Sequence, residues 1–184
     1  MNYYFTSDFH LWHKKIAEYC PYSRKGDTPD HMTEIILNNI SEQTKPGDVI
    51  YNIGDFSFGS FEQTQSALLK INKMGVKHHL ILGNHDKRIR DSSVLCAYLD
   101  SVGDMKTFSI GKQVFDLCHM RKTTWERARY GAIHLYGHSH SQYQSVFDKS
   151  LDVGIDSRAS GDMKMYHLDE ILNIMKFCVS GKHH

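Results

Sequence analysis

Short runs of β-branched and aromatic residues alternate with longer segments of helical period through the first half of this chain. NYYFT (2–6), DVIYNI (48–53), HHLIL (78–82) and AIHLY (132–136) read as strands. TFSI (107–110) and QVFDLC (113–118) flank Gly111–Lys112 as a hairpin, and YQSVF (143–147) and LDVGI (151–155) flank residues 148–150 in the same manner. Between the early strands, Met32, Ile35, Ile36 and Ile40 share one helical face behind the start signal Thr28-Pro29-Asp30. A second helix is predicted over 61–74, with Ser60 as N-cap and Gly75 just past its end, and a third over 169–177. Alternating strands and helices followed by hairpins predict an α/β core with mixed sheets. With no repeat, low-complexity tract or linker, the expectation is one domain over residues 1–182. His183 and His184 read as a tag remnant outside it.

Composition narrows the classes. The chain has 184 residues, 40% of them hydrophobic and 23% charged, which is enough for a substantial core. A formal net charge of +1 argues against a broad nucleic-acid-binding face. No apolar run approaches the ~18 residues of a membrane span. The amino terminus lacks the basic and apolar regions of a signal peptide, and four scattered cysteines without a CxxC pair read as reduced thiols. A cytoplasmic location is therefore expected. The unusual count is histidine, at 13.

Those histidines fall where predicted strands end. NYYFT runs into Ser7-Asp8-Phe9-His10, DVIYNI into Gly54-Asp55, and HHLIL into Gly83-Asn84-His85-Asp86. QVFDLC runs into His119, and AIHLY into Gly137-His138-Ser139-His140. The carboxyl ends of strands are where α/β sheets bind ligands. No Ser or Cys pairs with a histidine as a nucleophile, and no GxxxxGK[ST] loop is present. Asp8, His10, Asp55, Asn84, His119, His138 and His140 instead supply oxygen and nitrogen donors without thiolate. They are too many for one four-coordinate ion and suit two borderline divalent ions: Mn²⁺ first, with Fe²⁺, Ni²⁺, Zn²⁺ and Co²⁺ open. In an extended segment i and i+2 point the same way, so Asp-x-His and His-x-His can each serve one centre. About +4 of metal charge against two carboxylates leaves a surplus that would attract a phosphate.

In order, D-x-H (8–10), G-D (54–55), G-N-H-D (83–86), a lone His119 and G-H-x-H (137–140) resemble the blocks of the calcineurin-like metallophosphoesterase superfamily. The match spans residues 8 to 140, and the small single-domain phosphoesterases of bacteria, archaea and phages resemble it most. The resemblance implies a four-layer sandwich of two mixed β-sheets flanked by helices. It implies that Asp8, His10 and His140 bind one metal, that Asn84, His119 and His138 bind a second, and that Asp55 bridges them. A bridging hydroxide would attack phosphorus in line with the leaving oxygen. His85 would protonate the leaving group or stabilise the transition state, and Asp86 would orient His85.

Departures are informative. The GDxVDRG and GNHE blocks of phosphoprotein phosphatases are here GDFSFGS and GNHD, without the arginine that grips phosphate. SDFHLWHKKI has Trp12 where the small phosphoesterases have glycine, and LCHMRKTTW has Arg121 in place of proline. Arg24 is a candidate replacement for the missing arginine, its alternative being a solvated loop charge. His13 is a candidate for the site mouth and Trp125 for stacking on a base or sugar. His78, His79 and His134 are expected to pack without chemistry. The function expected is hydrolysis of phosphomonoesters or phosphodiesters, with a small phosphoester, a nucleotide or a short single strand of nucleic acid as substrate. A homodimer is left open and no membrane partner is expected. The competing class is a metal-binding protein-interaction scaffold of the same fold.

Overall fold

The computed structural model describes residues 1–142 and 148–178. The chain runs β1 (Tyr3–Thr6), α1 (Ile16–Tyr19), α2 (Pro29–Gln43), β2 (Val49–Asn52), α3 (Phe61–Asn72) and β3 (Lys77–Ile81). It continues through α4 (Lys87–Arg90), α5 (Ser93–Cys96), β4 (Ser101–Gly103), β5 (Met105–Ile110), β6 (Gln113–Cys118) and a 3₁₀ turn at Ala128–Tyr130. β7 (Ile133–Tyr136), β8 (Ser150–Asp152), β9 (Tyr166–His167) and α6 (Leu168–Met175) complete it.

Two mixed sheets flanked by helices form the α/β frame. The first has the order β4-β3-β2-β1-β9, parallel except for β9. The second has the order β5-β6-β7-β8, with β5 antiparallel to β6 and the rest parallel. Alternation decides what each sheet face meets. Phe5, Tyr51 and Ile81 of the first sheet pack on Phe115, Leu117 and Leu135 of the second. Tyr4, Ile50 and Leu80 point the other way, onto α2 and α3 through Ile36, Ile40, Leu68 and Ile71. The Phe5 ring lies 5.4 Å from both Tyr51 and Phe115 at the centre of the inter-sheet layer. Cutting Phe115 to alanine there would cost about 3–5 kcal/mol.

The helix signals act as read. Thr28 caps α2 by accepting from the His31 N–H, and Ser60 and Gln63 close a capping box on α3. One expectation falls partly outside what is described. Residues 143–147, read as the first arm of a hairpin, lie outside the described residues, and β8 pairs in parallel with β7. Among the described residues no helix is long and apolar enough to cross a membrane.

The parallel strands set the stage for the site. A bridge between Ser7 and Gly154 runs parallel, so the chain leaving β1 travels beside the chain leaving β8. The two sheets therefore discharge their strand ends at one common rim.

Candidate metal centre at the carboxyl rim

Beyond the strands, the loops after β1 and β2 keep pairing. Asp8 N–H donates to the Gly54 carbonyl at 2.9 Å, His10 N–H to Asp55 at 3.0 Å and Leu11 N–H to Phe56 at 3.1 Å. This extension sets Asp8 and Asp55 side by side at the rim. It also bends the backbone: Asp8 (φ 56°), His10 (46°), Asp55 (56°), His138 (67°) and His140 (44°) are all left-handed. Two close approaches then demand glycine. A Cβ on Gly83 would overlap the Asp55 carboxylate, and one on Gly137 would overlap Ser7 Oγ and the Asp8 carboxylate.

The donor atoms gather in two groups. Asp8, His10 and His140 form one and Asp55, His119 and His138 the other, with the ligating atoms of each within 4.8 Å of one another. Asn84 joins the second group, its Oδ1 3.1 Å from His119 Nε2. Asp55 Oδ2 stands between the groups, 3.3 Å from His119 Nε2 and 3.8 Å from His10 Nε2. Its other oxygen accepts the His85 N–H at 2.9 Å. All seven sequence candidates thus meet at one place.

Would these residues accept metal ions? His10 is 3% exposed, and neither ring nitrogen has a hydrogen-bond partner. Burying such a nitrogen unpaired costs on the order of 1–3 kcal/mol. Its Nε2 lies 3.6 Å from Asp8 Oδ1, too long for a hydrogen bond. Two donors each ~2.1 Å from one ion sit roughly 3.0–3.4 Å apart, close to this spacing. Two of the other imidazoles are oriented from behind. His119 Nδ1 lies 2.7 Å from the Ile53 carbonyl and His140 Nδ1 2.7 Å from Asp156 Oδ2, which leaves each Nε2 turned to the rim. The donor set and its backing fit divalent ions.

Electrostatics agree. Burial works against charge throughout, yet the carboxylates overcome it. His119 is raised to about 9, chiefly by Asp55 and Asp8, and His140 to about 10, chiefly by Asp156. Burial raises Asp55 less than His119 and its other neighbours lower it, so it falls to about 2. The rim holds a negative field that draws positive charge, and bound cations would take over that role and displace the protons.

Asp86 behaves differently from the expectation that it orients His85. Its oxygens accept the N–H groups of Asp55, Gly83 and Phe56 at 2.8–2.9 Å, so it fixes the loop carrying Asp55. Arg24 is neither a phosphate clamp nor a solvated charge. It is 5% exposed and donates to the backbone carbonyls of Asp8 and Phe9 and to Asp156 Oδ2, at 2.6–2.8 Å. His13 sits at the mouth, its ring 4.3 Å from Phe58 and 5.6 Å from His10. Trp125 packs on His134 with ring centroids 5.4 Å apart and donates to the Ala132 carbonyl, away from the rim.

Two buried carboxylates escaped the reading of the sequence. Asp156 supports His140 and is held in turn by Arg24 and Ser23. Asp152 accepts from Ser139 Oγ and from the Ser141 and Gly154 N–H groups, bracing the turn of His138 and His140. The signal was available: LDVGI runs directly into Asp156, as the other strands run into their polar residues.

A fold of two mixed sheets with this rim defines a class, and sequence comparison agrees. The model of the calcineurin-like phosphoesterase family matches residues 1–174, and the chain belongs to that family. Membership makes it a phosphoesterase by family and implies divalent metal ions. Among its relatives, the Gene 66 protein of Mycobacterium phage D29 is 32% identical over 183 residues, covering 85% of this chain and 88% of that one. The Gene 66 protein of Mycobacterium phage L5 is 26% identical over 194 residues, covering 85% and 87%. A solved structure from Aquifex aeolicus, of a protein of unknown function, has the same fold. Its TM-score is 0.73 at 22% identity, covering 94% of this chain and 98% of that one.

Proposed function

We propose that the chain hydrolyses phosphoesters at a dinuclear centre. Asp8, His10 and His140 would hold one divalent ion and Asn84, His119 and His138 the other, with Asp55 placed to serve both. The observation that carries this reading is Asp55 Oδ2, poised 3.8 Å and 3.3 Å from one imidazole of each group. When bound, two such ions supply Lewis acidity at the phosphoryl group and a water activated as nucleophile. Oxygen and imidazole donors without thiolate suit Mn²⁺ first.

The chain's own residues do the rest. His85 is exposed at the rim, and its backbone N–H grips the Asp55 carboxylate, so acid and bridging ligand keep a fixed separation. Its imidazole donates a proton to the departing oxygen. Asp86 holds the Asp55 backbone, and Asp156 holds His140.

The test adds Mn²⁺, Ni²⁺, Zn²⁺ or Mg²⁺ back to metal-stripped protein and follows p-nitrophenyl phosphate, bis-p-nitrophenyl phosphate and a thymidine dinucleotide. Turnover restored by a divalent ion is expected. His85→Ala should keep two bound ions and lose roughly 10²–10⁴ in kcat on the dinucleotide, whose alkoxide needs a proton. It should lose far less on the aryl esters, whose phenolate leaves unaided. Two bound ions without turnover of any ester would sink the reading in favour of a scaffold.

A further inference from the structure

Phe58 is a large aromatic side chain set among three histidines at the rim and still 39% exposed. Its ring lies 4.3 Å from His13, 4.7 Å from His85 and 5.2 Å from His10. The backbone beneath it is anchored. Phe58 N–H donates to the Leu11 carbonyl at 2.9 Å, Ser57 bridges to Leu11, and Arg88 donates to the Gly59 carbonyl. A ring on such a base is a fixed platform and loses little freedom when something stacks on it.

On the His85 side of that ring lies an open groove of about 470 Å³ lined by Ser57, Phe58, His85, Lys87, Arg88 and Asp91. Its charge is net positive. If His85 protonates the leaving oxygen, whatever that oxygen belongs to must lie beyond His85, and this groove is the space there. An aromatic face beside exposed cations is chemistry for a nucleobase attached to phosphate.

Building on the function proposed above, we infer that the substrate is a phosphodiester of a nucleoside, whose departing nucleoside stacks its base on Phe58. Water adds to phosphorus and the bond to the nucleoside oxygen breaks. That oxygen takes the His85 proton, so diester and water yield a monoester and a free nucleoside end. Lys87 stands where a further phosphate on the departing nucleoside would reach.

The test uses metal-loaded protein and thymidine dinucleotides in which one base or the other is removed, leaving an abasic sugar. The oxygen that departs is identified from the products. Removing the base of the departing nucleoside should lower kcat/KM by roughly tenfold or more, mostly through KM, and removing the retained base should matter less. Phe58→Ala should erase that difference and Phe58→Trp should keep it. A mere disturbance of His85 would slow both substrates alike and leave the ratio intact. Adding a terminal phosphate to the departing nucleoside should help the wild type several-fold and Lys87→Ala less. Equal rates with and without the departing base, or a ratio unchanged in Phe58→Ala, overturn this inference while bis-p-nitrophenyl phosphate is still cleaved. Loss of every phosphoester activity would instead overturn the reading on which it rests.

Discussion

Two clusters of aspartate, histidine and their neighbours use similar residues to opposite ends. One lies at the common rim and holds His10, Asp8 and Asp55. The other lies on the face of the second sheet turned away from the inter-sheet core, where Asp116 and His134 sit side by side. In the outer cluster every donor meets an acceptor. Lys122 Nζ donates to both Asp116 oxygens at 2.7 and 3.2 Å, and Thr107 Oγ1 donates to Asp116 at 3.1 Å. His134 Nε2 accepts the Lys122 N–H at 3.1 Å, which leaves its Nδ1 to donate to the Asp116 carbonyl at 3.0 Å. At the rim, His10 has two unpartnered nitrogens in a buried site with carboxylates near but not bonded. Residue type is shared; satisfaction differs. Polar groups that complete one another are structure, and polar groups that wait on something absent mark a site.

His78 guards against reading too much into an orphan. It too is buried with both ring nitrogens unpartnered, but the one carboxylate beside it, Asp100, accepts its backbone N–H at 2.8 Å, and Phe56 packs near its ring with centroids 5.9 Å apart. An isolated orphan is what strand burial alone produces; convergence makes the difference.

The largest effect should come from the residue that joins the two rim groups. Asp55→Asn is expected to lower metal-restored turnover by roughly 10³ or more and to reduce bound metal below two ions, counted by elemental analysis. Full activity with two ions would remove Asp55 from the bridge. Next comes the contrast itself. Asp156→Asn at the rim should weaken metal affinity or activity by about 10–100-fold, because His140 loses the partner that turns it. Asp116→Asn in the outer cluster should leave turnover unchanged and lower the midpoint of thermal unfolding, at a cost of about 1–3 kcal/mol. If the two variants behaved alike, the distinction between the clusters would fail.

The smallest effect concerns His78. Burial, with some help from His79, holds its pKa down to about 4. Between pH 7 and pH 5 the unfolded chain therefore binds a proton that the folded chain refuses, and stability falls as pH drops. The loss is about 2 kcal/mol over that window. Denaturant melts of His78→Leu should show a flatter pH dependence than the wild type. Parallel curves would mean that His78 is not desolvated as the fold places it.

Much of this was legible from local pattern. β1, β2, β3, β6 and β7 are strong apolar runs, and the caps of α2 and α3 are written in Thr28 and Ser60. The rim ligands were legible because each follows such a run directly. What stayed hidden depends on distant partners. β4 and β9 are short and carry weak apolar pattern; β4 is placed by pairing with β3, and β9 by pairing with β1. Arg24 reaches its place through Asp156, 132 residues away, and no spacing in the sequence announces that pair. Asp86 could be assigned to His85 by adjacency, whereas its oxygens are claimed by backbone groups about 30 residues upstream.

The left-handed backbone at five rim ligands has a meaning for how this protein could change. A non-glycine residue in that region costs of order 1–3 kcal/mol, nearer the low end for aspartate. Against a net stability of about 5–15 kcal/mol, five such positions are a standing burden that bound cations would offset by favouring the folded state. A lineage that stopped needing the chemistry would gain robustness by letting these positions drift to glycine or asparagine. Retention of aspartate and histidine in such uncomfortable geometry is what continued selection for activity, against stability, would leave behind.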